Sequence, residues 1–330
     1  MKLSICIPTY NRKEYLSELL LSIEKNIPVE LVGRVEICIS DNASMDGTDV
    51  SVFEFIKKSN ISVVYSRNET NIGADKNYLK VVTLASGEYC WFIGSDDVLE
   101  DGDLIKVNNA ISDDDIYLFD RIMCDVNLNI LKVQKWLKIE KKCKQFDFKK
   151  NHVVAFDEYF QSAKSLGAVF SYLSSIVFKR SAWNTISPSE IFIGTAYSHV
   201  EILMKILCNG GTLTYVNEPI IRCRGGNDSF AANGVVSRFM LDVNGYMLLA
   251  TVLFKGNDLL RFKFLKILTR EHKLKRLVKI RSLCEKSEWS EICIALNACG
   301  FSNVNLMIAN LVGRSKIVMS LIYALKNIIK

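Results

Sequence analysis

The chain has 330 residues, 49% of them hydrophobic and 24% charged, with a formal net charge of +6. This composition, with four prolines and no low-complexity tract, is typical of a soluble globular protein with a sizeable core. The ten cysteines contain no C-x-x-C pair, which disfavours a zinc site. Cys6, Cys38 and Cys90 fall in apolar runs, where cysteine acts as a small hydrophobic residue, and this favours a reducing compartment.

The sequence predicts a cytoplasmic protein. Only about five apolar positions follow Lys2, too few for a signal peptide, and no run approaches the roughly 18 apolar residues that span a membrane. Charge is distributed unevenly, because residues 235–330 contain 16 Lys and Arg against 6 Asp and Glu, whereas residues 1–234 carry a net charge of −4. The basic tail is therefore a distinct region.

The first 120 residues alternate predicted strands and helices. This alternation implies βαβ units and a mainly parallel α/β sheet flanked by helices. Helical spacing of apolar residues extends over 14–25. A second helix should follow the loop that ends at Thr48, and a third should follow the loop that ends at Asn77 and run to about Ala85. Apolar runs predict strands at residues 3–7, which Pro8 would end, and at 35–39, 61–65, 90–93 and 116–119.

Polar loops follow four of these strands, at Thr9–Arg12, Ser40–Thr48, Asn68–Asn77 and Gly94–Asp97. Because the carboxyl ends of parallel strands meet at one edge of a sheet, these loops should converge on a nucleotide-type site. Neither a G-x-G-x-x-G after the first strand nor a G-x-x-x-x-G-K-[ST] occurs. Their absence disfavours a dinucleotide fold of the hydride-transfer kind and removes the P-loop class.

Two adjacent carboxylates, Asp96 and Asp97, follow the fourth strand. Carboxylate oxygens ligate hard divalent cations, which usually complete their shells with substrate phosphates. A solvated acidic turn is the alternative for this pair taken alone. Without a P-loop, a metal and Lys or Arg side chains must meet any phosphate charge.

The rest of the chain is less regular. Lys/Arg and apolar residues interleave over 261–279, and the same interleaving recurs with fewer charges over 306–329. This pattern predicts either membrane-surface helices or an ordinary helical subdomain with a basic outer face. The other expected elements are a mobile basic excursion at 132–150, one long strand at 167–178, a short helix at Trp183, a helix at 202–207, two short strands at 213–216 and 220–223, and a flexible cationic loop at 222–229.

Four motifs resemble, in order and spacing, those of family 2 glycosyltransferases with the GT-A fold: Ile7–Arg12, Ser40–Thr48, Asn71–Ala74 and Gly94–Asp97. The resemblance covers residues 1 to about 125. It implies a mainly parallel sheet flanked by helices and transfer of a sugar from a nucleotide donor. The implied divisions are a GT-A domain at 1–234, with a nucleotide-sugar half at 1–125 and an acceptor half at 126–234, and a basic helical region at 235–330.

Three later segments look like the abequosyltransferases of O-antigen synthesis: Phe170–Ser175, Ile193–Val200 and Cys223–Phe230. This likeness implies CDP-abequose or a related CDP-3,6-dideoxyhexose as donor. It also implies a lipid-linked O-antigen oligosaccharide as acceptor, at the inner face of the cytoplasmic membrane. The basic C-terminal helices would then hold the enzyme at the membrane surface. No nucleic-acid partner is implied, and the sequence does not indicate an oligomeric state.

The resemblance also implies residue roles. Thr9 and Tyr10 would contact the base and ribose, Asp41 would accept a hydrogen bond from the base unless it only caps a helix, and Lys76 would approach the diphosphate unless it is merely solvated. Arg222 and Arg224 would close over the diphosphate unless they form a basic surface hairpin. The full implied donor-binding set is Thr9, Tyr10, Asn11, Arg12, Asp41, Asn42, Asn71, Gly73, Lys76, Ser95, Asp96, Arg222 and Arg224.

Asp96 and Asp97 look like the family's metal motif and imply Mg²⁺ or Mn²⁺. The motif is often Asp-x-Asp, but here Gly94 occupies the first position and Ser95 follows it. Which of the two aspartates ligates the metal therefore stays open. Transfer also needs a base for the acceptor hydroxyl. His199 is a candidate base, a candidate third metal ligand or a structural residue, and Glu201 and Asp228 are further candidate bases.

Two other functions remain open. One is a sugar nucleotidyltransferase, which would also use paired carboxylates and Mg²⁺ but would release pyrophosphate. The other is a non-catalytic nucleotide-sugar or membrane-binding protein.

Overall fold

The computed structural model describes residues 2–315, which form two compact units with a boundary between Asn227 and Asp228. The strands of the first unit are β1 (Leu3–Thr9), β2 (Val35–Asp41), β3 (Ser62–Arg67), β4 (Tyr89–Phe92), β5 (Ile116–Cys124), β6 (Ile130–Gln134), β7 (Cys143–Asp147), β8 (Ile176–Lys179) and β9 (Thr212–Cys223). Its helices are α1 (Lys13–Asn26), α2 (Thr48–Lys58), α3 (Ala74–Thr83), α4 (Asp103–Ala110), α5 (His152–Ser162), α6 (Arg180–Trp183) and α7 (Ser198–Cys208). The second unit contains α8 (Val235–Leu253), α9 (Asp258–Glu271), α10 (Leu274–Arg281), α11 (Lys286–Ala298) and α12 (Asn303–Arg314).

One mixed sheet organises the first unit, in the strand order β3-β2-β1-β4-β8-β5-β9-β7, with β6 paired to β5. The first four strands are parallel to one another, as the alternating pattern predicts. β8 enters antiparallel between β4 and β5, and β9 lies parallel to β5. The predicted α/β sheet flanked by helices is therefore confirmed. Because β8 is antiparallel to both of its neighbours, the other half of the sheet is mixed.

The core lies around β1 and β2, in which every residue is buried. Both strands are buried on both faces, as strands of a parallel sheet covered by helices must be. Leu16, Leu19 and Leu20 of α1 pack against this sheet, so the helical spacing predicted over residues 14–25 is confirmed.

Pro8 does not end β1, contrary to the sequence expectation. The strand continues to Thr9, which lies opposite Asp41 of β2. The carbonyl of Cys6 accepts from Ile93 on the β4 side, and alternate strand residues face the same neighbour. Pro8 therefore points toward β4, whose pairing with β1 stops at Cys6, so its missing N–H leaves no ladder bond unmade.

The basic segment 132–150 is not a mobile excursion. It contributes β6 and β7 to the sheet, and Trp136, Leu137 and Phe146 are buried between its lysines. The indole N–H of Trp136 donates to the carbonyl of Phe119 (2.7 Å). Buried apolar side chains thus anchor a segment whose surface is basic. The expectation was wrong because it rested on the many lysines of the segment and gave too little weight to its few apolar residues.

The single strand expected over 167–178 is also wrong. Two 3-10 turns, Leu166–Val169 and Leu173–Ser175, precede the short β8. A Cβ on Gly167 would lie 2.2 Å from the Trp136 ring, so the backbone here packs against an aromatic face and not against a strand. In the opposite sense, the two short strands expected at 213–216 and 220–223 are one strand, β9, with a register shift where Asp120 lies opposite Pro219.

Glu36 is a buried carboxylate on β2. It accepts hydrogen bonds from Ser4 Oγ (2.6 Å), from the backbone N–H and Oγ of Ser86 (2.6 and 2.7 Å), and from Lys2 Nζ (2.9 Å). Burial alone would raise its pKa, but these donors lower the pKa of Glu36 from 4.5 to about 2. The carboxylate ties the start of β1 to the loop before β4.

We expect acid to weaken the protein through Glu36. Since the folded-state pKa is lowered, its contribution is present above about pH 4.5 and is lost as pH falls toward 2, and the shift corresponds to about 3 kcal/mol. Urea unfolding of wild type and Glu36→Gln at several pH values between 7 and 2.5 measures this. The difference between them should shrink as the solution is acidified, while Glu30→Gln, at an exposed position, should match wild type. A difference that does not depend on pH would contradict the assignment.

The second unit is helical in its described part, as the pattern after Val235 predicts. Arg281 is buried between its helices, where Nε donates to Asn310 Oδ1 (2.9 Å) and Nη1 to the carbonyl of Cys284 (2.8 Å). Of the helix expected over 306–329, residues 306–314 lie in α12, and the portion beyond Ser315 is outside the described residues.

One described helix qualifies as a membrane span by length and composition, whereas the sequence analysis expected none. Val235–Leu253 has 19 residues and a mean hydropathy of 1.2. About 39% of it is buried within the fold, and the core helix of a soluble protein passes the same test.

Candidate active site

The four polar loops meet at the carboxyl edge of β1, β2, β3 and β4, where the sequence places them. The backbone N–H of Asn11 donates to Ser44 Oγ (2.8 Å), and Asn11 Oδ1 accepts from the N–H of Met45 (2.8 Å). Asn42 Nδ2 donates to Asn71 Oδ1 (2.8 Å). Asn11 and Ala43 adopt positive φ angles of 48° and 65°, so this junction holds its loops in uncommon backbone conformations.

Asp41 lies at the floor of this junction and is completely buried. Its Oδ1 accepts from the N–H of Ser44 (2.9 Å) and its Oδ2 from the Tyr65 hydroxyl (2.7 Å). Burial and the Asp41 charge raise the pKa of Tyr65. Asp41 does not cap α2, because Asp46 accepts from the N–H and hydroxyl of Thr48 (3.2 and 2.6 Å).

Asparagines support the same junction. Asn42 Oδ1 accepts from the N–H of Ile72 (2.9 Å), and Asn71 Oδ1 accepts from the N–H of Gly73 (2.9 Å), which has a φ of +84°. Asn77, which the sequence analysis did not single out, is buried and bonds through its Oδ1 to Ser40 Oγ (2.7 Å) and through its Nδ2 to the Ser40 carbonyl (3.0 Å).

The residues expected to meet the nucleotide differ in exposure. Tyr10 and Lys76 are exposed, whereas Thr9 and Ser95 are buried. Among residues 2–315, Thr9 Oγ1 is a buried hydroxyl oxygen that has no hydrogen-bond partner. A buried hydroxyl without a partner costs free energy unless a ligand or water satisfies it.

Asp96 is the more accessible of the two adjacent aspartates, with 15% of its side chain exposed. Its Oδ1 pairs with Arg12 Nη1 (2.8 Å), and its Oδ2 accepts from the side-chain amide of Asn227. Arg12 Nη2 in turn donates to the Asn227 carbonyl (2.9 Å). Arg12 therefore supplies the positive charge that Asp96 faces.

Asp97 is buried, and its oxygens are already occupied. Its Oδ2 accepts from the Tyr172 hydroxyl (2.6 Å) and Ser174 Oγ (2.5 Å), and its Oδ1 accepts from the N–H of Arg224 (3.2 Å). Burial first, and then the charge of Asp96, raise the pKa of Asp97 to about 7. This carboxyl anchors the turn from inside the unit.

Gly94 allows the two carboxylates to lie close to the backbone. A Cβ at this position would come within 3.1 Å of Asp96 Oδ1 and 3.2 Å of Asp97 Oδ2. A side chain in the first position of an Asp-x-Asp motif would therefore crowd both aspartates in this arrangement.

The arrangement fits a divalent cation only through Asp96. Among residues 2–315, no three His, Cys, Asp or Glu side chains form a group that could hold a metal ion, and His199 does not form such a group with the two aspartates. One carboxylate is enough for a Mg²⁺-type site when substrate phosphates and water supply the other ligands. Arg12 would have to release Asp96 Oδ1 first.

The three candidate bases differ in accessibility. His199 is buried, its Nε2 bonds to the Phe170 carbonyl (3.0 Å), and burial lowers its pKa to about 4, so it is neutral at pH 7. Glu201 is completely buried, accepts from the N–H of Ser189 (3.1 Å) and pairs with Lys205 Nζ (2.6 Å). These two enclosed positions do not favour contact with a substrate hydroxyl. Asp228 has 47% of its side chain exposed.

The two arginines after β9 are held by the protein. Arg224 donates through Nε to the Asp96 carbonyl (3.1 Å) and through Nη1 to the Val126 carbonyl (2.7 Å), and its guanidinium also pairs with Glu18. Arg222 pairs with Glu100, and its backbone exchanges two 3.0 Å hydrogen bonds with Val98. The expected flexible cationic loop is therefore bonded to the Asp96–Asp97 turn at Arg224.

Asp75, at the start of α3, is a loop-holding residue that sequence reasoning missed. This buried carboxylate accepts from the backbone N–H groups of Gly194 (2.8 Å), Ala196 (2.9 Å) and Ser198 (3.0 Å). The loop it holds contains two positive φ angles, at Gly194 (90°) and Ala196 (66°). A carboxylate at the start of α3 resembles an ordinary first-turn acid, so the sequence carries no signal of this distant partnership.

Tyr172 and Ser174 were also missed as partners of Asp97, although the sequence analysis quoted their segment for its resemblance. The Tyr172 ring also lies 3.8 Å from the Arg121 guanidinium carbon, and Ser174 Oγ accepts from the N–H of Gly94 (2.8 Å). The backbone that leaves the strand pattern at 170–175 thus does so to hold the aspartate turn.

Comparisons with known proteins show the family of this chain. The sequence model of glycosyl transferase family 2 matches residues 4–170. Abequosyltransferase RfbV of Salmonella typhimurium is 40% identical over 275 residues, which cover 82% of this chain and 81% of that protein.

Solved structures share the fold. Staphylococcus aureus TarS in complex with UDP-GlcNAc superposes with a TM-score of 0.62 at 19% identity, covering 91% of this chain and 80% of that one. A mannosyltransferase from Pyrobaculum calidifontis, in complex with GDP-Man and Mn²⁺, gives a TM-score of 0.51 at 13% identity, covering 94% and 87%. The family match and the similarity to abequosyltransferase RfbV together show that this chain is a glycosyltransferase and belongs to glycosyl transferase family 2.

Proposed function

We propose that this glycosyltransferase moves abequose, or a related 3,6-dideoxyhexose, from a CDP donor onto a lipid-linked O-antigen oligosaccharide. The similarity to an abequosyltransferase carries this proposal, because it extends over 275 residues and so well beyond the 4–170 family match. We further propose a cytoplasmic enzyme that works at the inner face of the membrane.

The junction of the first three loops is the proposed nucleoside site. Asp41, Asn42 and Asn71 hold its backbone, and Thr9 Oγ1 is a buried hydroxyl that a ribose or base could satisfy. Tyr10 is exposed beside it and would cover the base, and Lys76, at the exposed start of α3, would approach the diphosphate.

Asp96 is the residue that would hold Mg²⁺ or Mn²⁺. When bound, the cation would act as a Lewis acid that stabilises the departing nucleoside diphosphate. Arg12 neutralises Asp96 in the free protein and, once released from it, becomes a cation available to the donor phosphates. Asp97 keeps the turn in place through Tyr172 and Ser174.

Asp228 is the proposed base. A base must come within hydrogen-bond reach of the acceptor hydroxyl. Of the three candidates, Asp228 has an exposed carboxylate, while His199 and Glu201 are buried. Asp228 Oδ2 accepts a hydrogen bond from Arg238 Nε (2.8 Å).

A nucleotide screen tests the donor proposal. Thermal unfolding would be followed with CDP, UDP, GDP and dTDP, each with Mn²⁺ and with EDTA. We expect CDP with Mn²⁺ to stabilise the protein most, by roughly 2.7 kcal/mol at 100 times Kd, and EDTA to remove most of this gain. A preference for UDP or dTDP would overturn the CDP-sugar assignment while leaving the transferase.

The products distinguish the other candidate functions. A transferase releases CDP from a CDP-sugar in the presence of acceptor, whereas a nucleotidyltransferase exchanges pyrophosphate. Binding of CDP-sugar with no turnover by any lipid-linked acceptor would favour the non-catalytic alternative.

A further inference from the structure

The hairpin formed by β5 and β6 exposes apolar side chains together with a row of lysines. Ile130, Leu131 and Val133 of β6 are 54%, 63% and 49% exposed, and Val126 in the turn is 48% exposed. Within the described residues, β6 pairs with β5 alone and is an edge strand. Exposed apolar residues on an edge strand are unusual in a soluble protein and indicate a contact surface.

The charge around this strand has one sign. Residues 130–146 contain six lysines and a single acidic residue, Glu140. Five of these lysines are exposed, and across residues 2–315 none of the five forms an ion pair; they are Lys132, Lys135, Lys138, Lys141 and Lys142. The sixth, Lys144, pairs with Glu158 (2.7 Å). An anionic partner is therefore expected.

We propose that this surface, which we term the basic hairpin (residues 124–142), docks on an anionic lipid bilayer. Lysines beside exposed aliphatic side chains suit the boundary of headgroups and acyl chains, where the charge meets anionic lipid and the apolar side chains enter. An acidic soluble protein would satisfy the lysines but not the aliphatic side chains on both faces of β6.

The basic hairpin is bonded to the candidate active site. The carbonyl of Val126 accepts from Arg224 Nη1 (2.7 Å), and Arg224 Nε donates to the Asp96 carbonyl (3.1 Å). A bilayer bound at this hairpin would therefore lie beside the Asp96 turn. The inference rests on the proposed function for its lipid-linked acceptor, and it assigns the membrane contact to the sheet unit, in addition to any contact by the C-terminal helices.

Vesicle flotation tests the docking surface without donor or acceptor. Two kinds of phosphatidylcholine vesicle would be used, one without and one with about 25% phosphatidylglycerol, which gives a strongly anionic surface. Each would be mixed with wild type and with the triple variant Lys132→Gln/Lys135→Gln/Lys138→Gln. Each lysine near an anionic surface changes partitioning about fivefold, so the triple variant should lose roughly a hundredfold. Binding of wild type should also weaken as salt is raised.

Two matched triple variants serve as controls. Lys25→Gln/Lys57→Gln/Lys58→Gln removes three exposed lysines from α1 and α2, and Lys266→Gln/Lys275→Gln/Lys279→Gln removes three from α9 and α10. The first should bind vesicles like wild type. Full binding by the hairpin variant, with loss only in the α9 and α10 variant, would overturn the proposal.

A fluorescent reporter tests the apolar part separately. The four native tryptophans are buried, so Leu131→Trp adds a distinguishable exposed one. Its emission should shift to the blue with anionic vesicles. No shift, or concentration-dependent self-association without vesicle binding, would overturn bilayer docking. None of these readouts requires sugar transfer, so failure here is distinct from failure of the CDP-sugar assignment.

Discussion

Replacing Asp96 with Asn should lower kcat for sugar transfer about a thousandfold. Asp96 is the carboxylate at this turn that is partly exposed, and its partners Arg12 and Asn227 can be displaced. Asn keeps the size of the side chain but removes the charge that would hold a cation against the donor diphosphate. The measurements are nucleoside diphosphate release from the CDP-sugar and Mn²⁺ binding in the presence of CDP.

The matched control for Asp96→Asn is Asp101→Asn, an exposed aspartate in the following turn. It should retain wild-type turnover and Mn²⁺ binding. Turnover in Asp96→Asn close to that of wild type, or an equal loss in the control, would contradict the role assigned to Asp96. A normal thermal unfolding profile of Asp96→Asn is required, since Asp97 and not Asp96 anchors the turn.

Replacing Asp75 with Ala should destabilise the first unit by about 4 kcal/mol. The change leaves the N–H groups of Gly194, Ala196 and Ser198 without their acceptor, and each buried unsatisfied donor costs about 1–3 kcal/mol. Ala196 also loses the contact that holds its positive φ. Chemical denaturation measures the total, and hydrogen exchange of these three amides localises it.

Two further variants sharpen the Asp75 prediction. Asp75→Asn keeps one acceptor oxygen and should lose about half as much, whereas Glu69→Ala, at an exposed position five residues before the first residue of α3, should lose little. Unchanged exchange of the 194–198 amides in Asp75→Ala would show that the loop does not depend on this carboxylate.

The local sequence pattern was sufficient to predict the parallel half of the sheet and the loops of the candidate site. Each strand from β1 to β4 is a short apolar run with a polar loop after it, and parallel topology alone brings those loops to one edge. Asn11, Asn42 and Asp96 therefore lie where the sequence places them.

Long-range contacts decided the roles of individual side chains. Asp97 meets Ser174 across 77 residues, and Asp75 meets Ser198 across 123. Neither pairing follows a helical or strand period, so no local pattern could predict that Asp97 is an anchor or that Asp75 holds a loop. The same limit applies to His199, a histidine at the start of a helix, whose burial lowers its pKa to about 4.

By itself the sequence determined the family, the α/β class and the edge of the sheet at which the candidate site lies, because these depend on residue order and on the period of apolar side chains. Only the tertiary structure decided which carboxylate is available. Asp96 and Asp97 are chemically identical neighbours, and packing separates them: Tyr172 and Ser174 enclose one, while Arg12 and Asn227 face the other. Burial and hydrogen bonding depend on what the fold brings together, and that is set by the whole chain.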